Sequence, residues 1–198
     1  MLLMSTPTSP FGRKVKIAAL AHGLMPRLRV ETGDPWTDDT PLRSVNPLGK
    51  MPALIRPDGK AIYDSGVILE YLDTLLDAPR LFPVERRLDT LVHHALGDGI
   101  IEAGLLITYE RMRRPVEYTY APWIDHQRGK IERALASLLH DAPDPGIVDA
   151  GSITIACALG YLDWRKQVDW RAACPALVDW LDTFRDAAPA FDATKAEH

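Results

Sequence analysis

The sequence predicts an α/β segment followed by an all-helical one. Three observations carry this: a β-α-β pattern at the start, a β-β-α pattern after residue 52, and helical spacing without strand signals beyond residue 85. Early strands and late helices in separate runs indicate two packed units in one chain.

Leu2-Leu3-Met4 is a short apolar run, ended by the turn-rich Thr6-Pro7-Thr8-Ser9-Pro10. From Phe11 to His22 the spacing turns helical, with Val15, Ala18, Leu20 and Ala21 inward and Arg13, Lys14 and Lys16 outward, until Gly23 stops it. Leu28-Arg29-Val30-Glu31 reads as a second strand, so the two strands form a parallel pair joined by a crossover helix. The polar stretch from Thr32 to Thr40 reads as a loop, and Asn46 to Pro52 is too rich in proline and glycine for regular structure. Ala53-Leu54-Ile55-Arg56 and Ala61-Ile62-Tyr63 flank Pro57-Asp58-Gly59-Lys60, where Asp-Gly supplies the backbone angles of a tight hairpin. Asp64-Ser65 then caps a helix whose Val67, Ile68, Tyr71, Leu72 and Leu75 share one face. This order is a thioredoxin-like arrangement.

Asp77 to Val84, with Pro79 and Pro83, reads as a linker. Beyond it Leu88, Leu91, Val92, Ala95, Leu96, Ile100, Ala103, Leu106 and Ile107 keep helical spacing, and Pro115 ends the run. Trp123 to Leu139 gives a second amphipathic helix with Gln127, Ile131, Leu135 and Leu138 on one stripe. Ile153 to Trp164 is almost wholly apolar and is expected to be the buried central helix, with Asp149 as its cap and Ser152 three residues on. Pro175 to Phe184 forms a last helix, and the tail from Asp192 is polar. The expected division is 1–77, a linker at 78–85, and 86–198.

Composition narrows the function. The chain has 198 residues, 46% hydrophobic and 25% charged, which is ordinary globular usage. A net charge of −4 supplies no basic field for nucleic acid. Two cysteines, Cys157 and Cys174, make no metal-type or CxxC spacing, and a reduced compartment is the simpler expectation. No apolar run approaches the ~20 residues that span a bilayer, and the first residues lack the charged start of a signal peptide. The cytoplasm is the expected location.

Four stretches carry a resemblance. Thr8-Ser9-Pro10-Phe11-Gly12-Arg13-Lys14-Val15 resembles the active-site turn of bacterial glutathione S-transferases. Asn46-Pro47-Leu48-Gly49-Lys50-Met51-Pro52-Ala53-Leu54 resembles that family's loop before its cis-proline, and Tyr63 to Leu72 its glutathione-carboxylate motif. Ala158 to Asp163 resembles the core helix of its second domain. The resemblance runs from the first strand to about residue 186 and implies a β-α-β-α-β-β-α thioredoxin-like domain followed by an all-α helical-bundle domain. It also implies a homodimer that buries part of the Asp64 to Leu76 helix, and a tail that covers the pocket in some relatives. Two departures stand out: Met51 replaces the usual valine or isoleucine, and Asp149-Ala150-Gly151-Ser152 reverses the usual Ser/Thr-x-x-Asp cap.

The resemblance gives each motif a chemical role. A cis peptide at Met51-Pro52 would turn the Met51 backbone toward an extended tripeptide. Asp64 and Ser65 stand at a helix start, where free N–H groups attract anions; both would hold the γ-glutamyl end, or simply cap the helix. Lys50 would reach the glycine carboxylate, with a solvated loop lysine as the equal alternative, and Phe11 belongs to the same glutathione site.

Ser9 is the expected catalytic residue. A free thiol has a pKa near ~8.5, and lowering it by two units needs ~2.7 kcal/mol of preference for the anion. A helix terminus contributes ~0.3–1 kcal/mol, or ~2 when partly buried. A hydrogen bond to a charged group adds ~1.5–3 kcal/mol. Together they suffice. Ser9 as a plain cap, with Thr6 or Thr8 as donor, is the alternative.

Related folds place cysteine at the Ser9 position for thiol exchange, which serine cannot perform. The expected reaction is therefore transfer of glutathione to a small apolar electrophile, with glutathione as co-substrate and no metal or tightly bound cofactor. A glutathione-dependent peroxidase or reductase, and a non-enzymatic glutathione-binding protein, are the other readings. Leu105, Tyr109 and Met112 are candidates for the electrophile pocket, although such residues are more often core. Arg111, Arg113 and Arg114 form a charged face that could favour an anionic co-substrate. His93 and His94 share no helix face and make no metal pair, and Cys157 is expected to be inert.

Overall fold

The computed structural model describes residues 1–37, 41–78 and 80–196. Asp38, Asp39 and Thr40 of the expected loop, Pro79 of the expected linker and residues 197 and 198 of the tail lie outside the described residues. The first half runs β1 (Leu2–Met4), α1 (Pro10–Ala21), β2 (Arg29–Glu31), α2 (Leu42–Val45), β3 (Ala53–Ile55), β4 (Ala61–Ile62) and α3 (Ser65–Asp73). These strands form one sheet in the order β2-β1-β3-β4, with β1 and β2 parallel and the other pairs antiparallel. This is the thioredoxin-like arrangement. β1 lies inside the sheet, and Leu3, opposite Val30 on one side and Leu54 on the other, is fully buried.

The hairpin closes as its residues dictate. The Arg56 N–H donates to the Lys60 carbonyl at 2.9 Å, the Lys60 N–H donates to the Asp58 carboxylate at 3.2 Å, and Gly59 takes a φ of 81°. Asp64 caps α3, accepting from the Gly66 N–H at 2.6 Å. On α3 the buried stripe is Ile68, Leu69 and Leu72; Val67, expected inside, is 53% exposed.

The second half is helical: α4 (Arg87–Met112), α5 (Ala121–Leu138), α6 (Ala150–Arg165), α7 (Trp170–Ala173), α8 (Pro175–Ala187) and α9 (Ala190–Ala193). α6 is the central helix, buried from Ala150 through Leu159. Its reversed cap is complete. The Ser152 N–H donates to Asp149 Oδ1 at 2.9 Å, and the Asp149 N–H donates to Ser152 Oγ at 3.1 Å.

α4 corrects the expected inward face. Leu88 and Val92 are 73% and 55% exposed, Leu106 is partly exposed, and Gly97, Ile100, Gly104 and Thr108 are buried. Close approach is the reason. A Cβ at Gly97 would lie 2.9 Å from the Thr154 carbonyl carbon and 3.1 Å from the Ile155 nitrogen, so α4 meets α6 through small residues. The short helices α7 and α9 carry too few residues for periodicity to reveal them.

The other correction concerns α1. Arg13 and Lys14, expected outward, are buried, whereas Leu20 and Ala21, expected inward, are exposed. α1 is covered by the sheet half on one side and by α4 and α6 on the other. Its basic residues therefore point into the helical half. Lys14 Nζ donates to Asp98 Oδ1 and Oδ2 at 2.5 and 2.7 Å and to His94 Nε2 at 3.0 Å. An ammonium only donates, so His94 accepts through Nε2 and carries its proton on Nδ1. Burial, reinforced by Lys14, pushes the His94 pKa down.

Two variants test this packing in urea unfolding. Gly97→Ala is expected to lose about 1–3 kcal/mol, because the added methyl meets backbone. Lys14→Met is expected to lose about 3 kcal/mol by leaving Asp98 without its partner. Adding Asp98→Leu to Lys14→Met is expected to recover most of that loss; no recovery would show that the pair is not the source.

Candidate functional site

The start of α1 is built by Ser9. Its backbone is extended, its Oγ accepts from the Gly12 N–H at 3.1 Å, and Pro10 fills the first helical position. Because Oγ serves Gly12 as an acceptor, its own proton is unspent: it meets no acceptor among the described residues. Ser9 is half-buried and opens on a cavity of about 260 Å³. The hydroxyls of Thr6 and Thr8 lie 3.4 Å apart, and Thr8 also borders the cavity. Phe11 is half-buried, its ring centre 5.6 Å from Lys14 Nζ.

The loop before β3 is fixed by Asn46, whose amide donates to the Lys50 carbonyl at 2.8 Å and whose oxygen accepts from the Leu48 N–H at 3.0 Å. Asn46 is buried, and this role was not visible in its motif. The Met51–Pro52 peptide is cis; Pro52 is buried, Met51 half-buried and Lys50 exposed. The Tyr63–Asp64 peptide is also cis. At the α3 start, Asp64 uses one carboxylate oxygen for Gly66 and is exposed. Ser65 is 1% exposed, and its Oγ has no partner among the described residues. An unsatisfied buried hydroxyl costs about 1–3 kcal/mol. His94 packs over this turn, since a Cβ at Gly66 would lie 2.9 Å from its Cε1.

Leu105, Tyr109 and Met112 lie elsewhere. Leu105 is half-buried. Tyr109 meets Trp36 edge-on at 5.3 Å, and Met112 is exposed, its sulfur 3.7 Å from Arg165 Nη1. None of the three borders the 260 Å³ cavity. Its walls come from Arg13 on α1, Tyr161 and Trp164 on α6, and Phe191 on α9. Sequence reasoning missed Arg13 because amphipathic spacing placed it outside, and missed Phe191 because it lies between the last expected helix and the polar tail.

Most of the remaining candidates are occupied. Arg113 stacks 4.1 Å above the Trp36 ring, Arg114 pairs with Glu110 at 3.2 Å, and Arg111 is exposed. The His93 ring bonds to the Asp141 carbonyl at 3.0 Å, away from His94. Cys157 is fully buried at the cavity wall, and burial pushes its thiol up to about 11. Burial also pulls the Arg13 pKa down, opposed by Cys157 and Asp192.

The residues offer a hydroxyl donor at a helix start, a cis-linked loop before β3 and a second helix start with an unsatisfied serine. The chain as a whole is similar to known proteins. Residues 8–75 match the profile of the glutathione S-transferase N-terminal domain. The chain is 34% identical over 189 residues to an uncharacterized GST-like protein, YibF, of Escherichia coli K12, covering 92% of each. A glutathione transferase family member from Pseudomonas fluorescens Pf-5, solved with bound glutathione, is 36% identical with a TM-score of 0.92, covering 100% of this chain and 99% of that one. A glutathione S-transferase from Methylobacterium radiotolerans, in complex with glutathione sulfonate, is 33% identical with a TM-score of 0.87, covering 100% and 95%. Similarity of this extent, in sequence and in fold along the whole chain, makes the protein a member of the glutathione S-transferase family.

Proposed function

We propose that the protein is a glutathione transferase. Glutathione lies along the backbone at Met51 and Pro52, ahead of β3; its γ-glutamyl carboxylate meets Ser65 and the α3 start, Asp64 takes the ammonium, and Lys50 approaches the glycine carboxylate. Phe11 packs beside the tripeptide. Ser9 donates a hydrogen bond from its hydroxyl to the sulfur, which favours the thiolate once the thiol proton has passed to solvent. The thiolate forms a bond to an electrophilic carbon of a small molecule with an apolar body, and the leaving group departs with the bonding pair.

The observation that carries this reading is the unspent Ser9 proton at the mouth of the cavity. The unpartnered Ser65 hydroxyl and the cis bond before β3 support it. So does glutathione bound in the relative from Pseudomonas fluorescens. Serine at position 9 and the raised thiol pKa of Cys157 speak against disulfide exchange. In this reading residues 1–77 hold glutathione, 78–85 connect, and 86–198 complete the pocket. No described helix is long and apolar enough to cross a membrane, and we place the protein in the cytoplasm.

We further propose a homodimer. Val67 on α3 and Leu88 and Val92 on α4 expose apolar side chains that the fold does not cover.

Ser9→Ala is expected to lower kcat/KM for conjugating a chromogenic aryl halide about 10- to 100-fold. It is also expected to raise the pKa of bound glutathione, followed by thiolate absorbance; an unchanged pKa would remove Ser9 from the mechanism. Val92→Glu is expected to convert a dimer to a monomer in analytical ultracentrifugation, and an unchanged sedimentation coefficient would move the interface elsewhere.

A further inference from the structure

The cavity beside Ser9 is more polar than an apolar electrophile requires. Four cations border it, Arg13, Arg171, Arg185 and Lys195, with two carboxylates, Asp163 and Asp192. Arg171 is paired with Asp163 at 2.6 Å and Arg185 with Asp192 at 3.0 Å. That leaves Arg13 and Lys195 without an ion pair among the described residues.

Arg13 is 9% exposed, and its placement is built. It sits one helical turn after Ser9, its backbone N–H bonded to the Ser9 carbonyl at 2.9 Å, so both face the same side of α1. Its guanidinium stacks 4.0 Å from the Phe191 ring centre, Nη2 donates to the Phe191 carbonyl at 2.6 Å, and Nε lies 3.4 Å from Thr194 Oγ1. Of five N–H groups, these bonds use two. Nη1 lies against α6 where Gly160 has no side chain; a Cβ there would come within 2.7 Å of it. The Nη1 protons take no partner among the described residues. A buried guanidinium whose hydrogen bonds go only to neutral oxygens is costly, and a carboxylate matches its fork better than any neutral group.

We propose that this cavity takes the acidic end of the second substrate, a small carboxylate with an apolar body, anchored by Arg13. Tyr161, Trp164 and Phe191 pack on the body, and Lys195 adds positive charge at the rim. The acid would lie on the α6 and α9 side of Ser9, within reach of a sulfur held there. This assignment rests on the glutathione reading and names the substrate class for that site.

The test compares glutathione with two chain-matched thioethers, S-propyl glutathione and its ω-carboxy counterpart, by titration calorimetry. The acidic thioether is expected to bind about tenfold more tightly than the neutral one at low salt, with the preference eroding as salt rises. Arg13→Met is expected to reduce the preference to about twofold or less, leaving affinity for glutathione itself unchanged. Gly160→Ala, which keeps the charge but displaces Nη1, is expected to reduce it as well. Equal affinity of the two thioethers for the unaltered protein, with glutathione still bound, overturns the acid site alone. Failure to bind glutathione or either thioether overturns the glutathione reading and the acid site with it.

Discussion

An ammonium with no solvent exposure needs an acceptor for each of its protons. Lys14 finds them on one turn of α4, in the two oxygens of Asp98 and the ring nitrogen of His94. This cluster lets α1 be enclosed on two sides. One side packs against the sheet half; the other meets the helical half. Without compensation, the charge would hold α1 at the surface, and the two halves would have no shared helix. Everything proposed for the site depends on that enclosure, since Ser9 starts α1 and Arg13 leaves it toward α6.

The same cluster couples the helix starts to each other. His94 touches Lys14 and packs over the turn that begins α3, so the starts of α1 and α3 are referenced to a single residue of α4. That geometry suits a ligand that spans both. The buried charges are weak as a source of net stability, because desolvation offsets most of their attraction. Their effect is positional.

Much of the sheet half was legible because its signals are local. Asp-Gly at a turn, Asp64 ahead of an apolar stripe, and prolines around a short strand each act within a few residues. The cap at Asp149 was legible for the same reason, even with its residues reversed. What could not be read was any burial imposed from a distance. Lys14 and Arg13 obey no amphipathic rule, because α1 has two buried faces and the second is furnished by residues some eighty or more positions away. Leu88 and Val92 failed in the opposite sense. Apolar spacing identifies a face to be covered, but not whether this chain covers it. In the site, Ser9, Met51–Pro52 and Ser65 were visible as motifs, whereas the cavity wall from α6 and α9 was not.

The position of that wall has a consequence for how the protein matures. Phe191, Lys195 and Ala196 border the cavity, and a ribosome delivers them after the sheet, the central helix and Ser9. A nascent chain therefore carries β1, Ser9 and α6 while the adjoining chamber still lacks a side. The chamber stays open on one side until that segment is in place, and a proteolytic nick there would reopen it while Ser9 and the loop before β3 stay where they are.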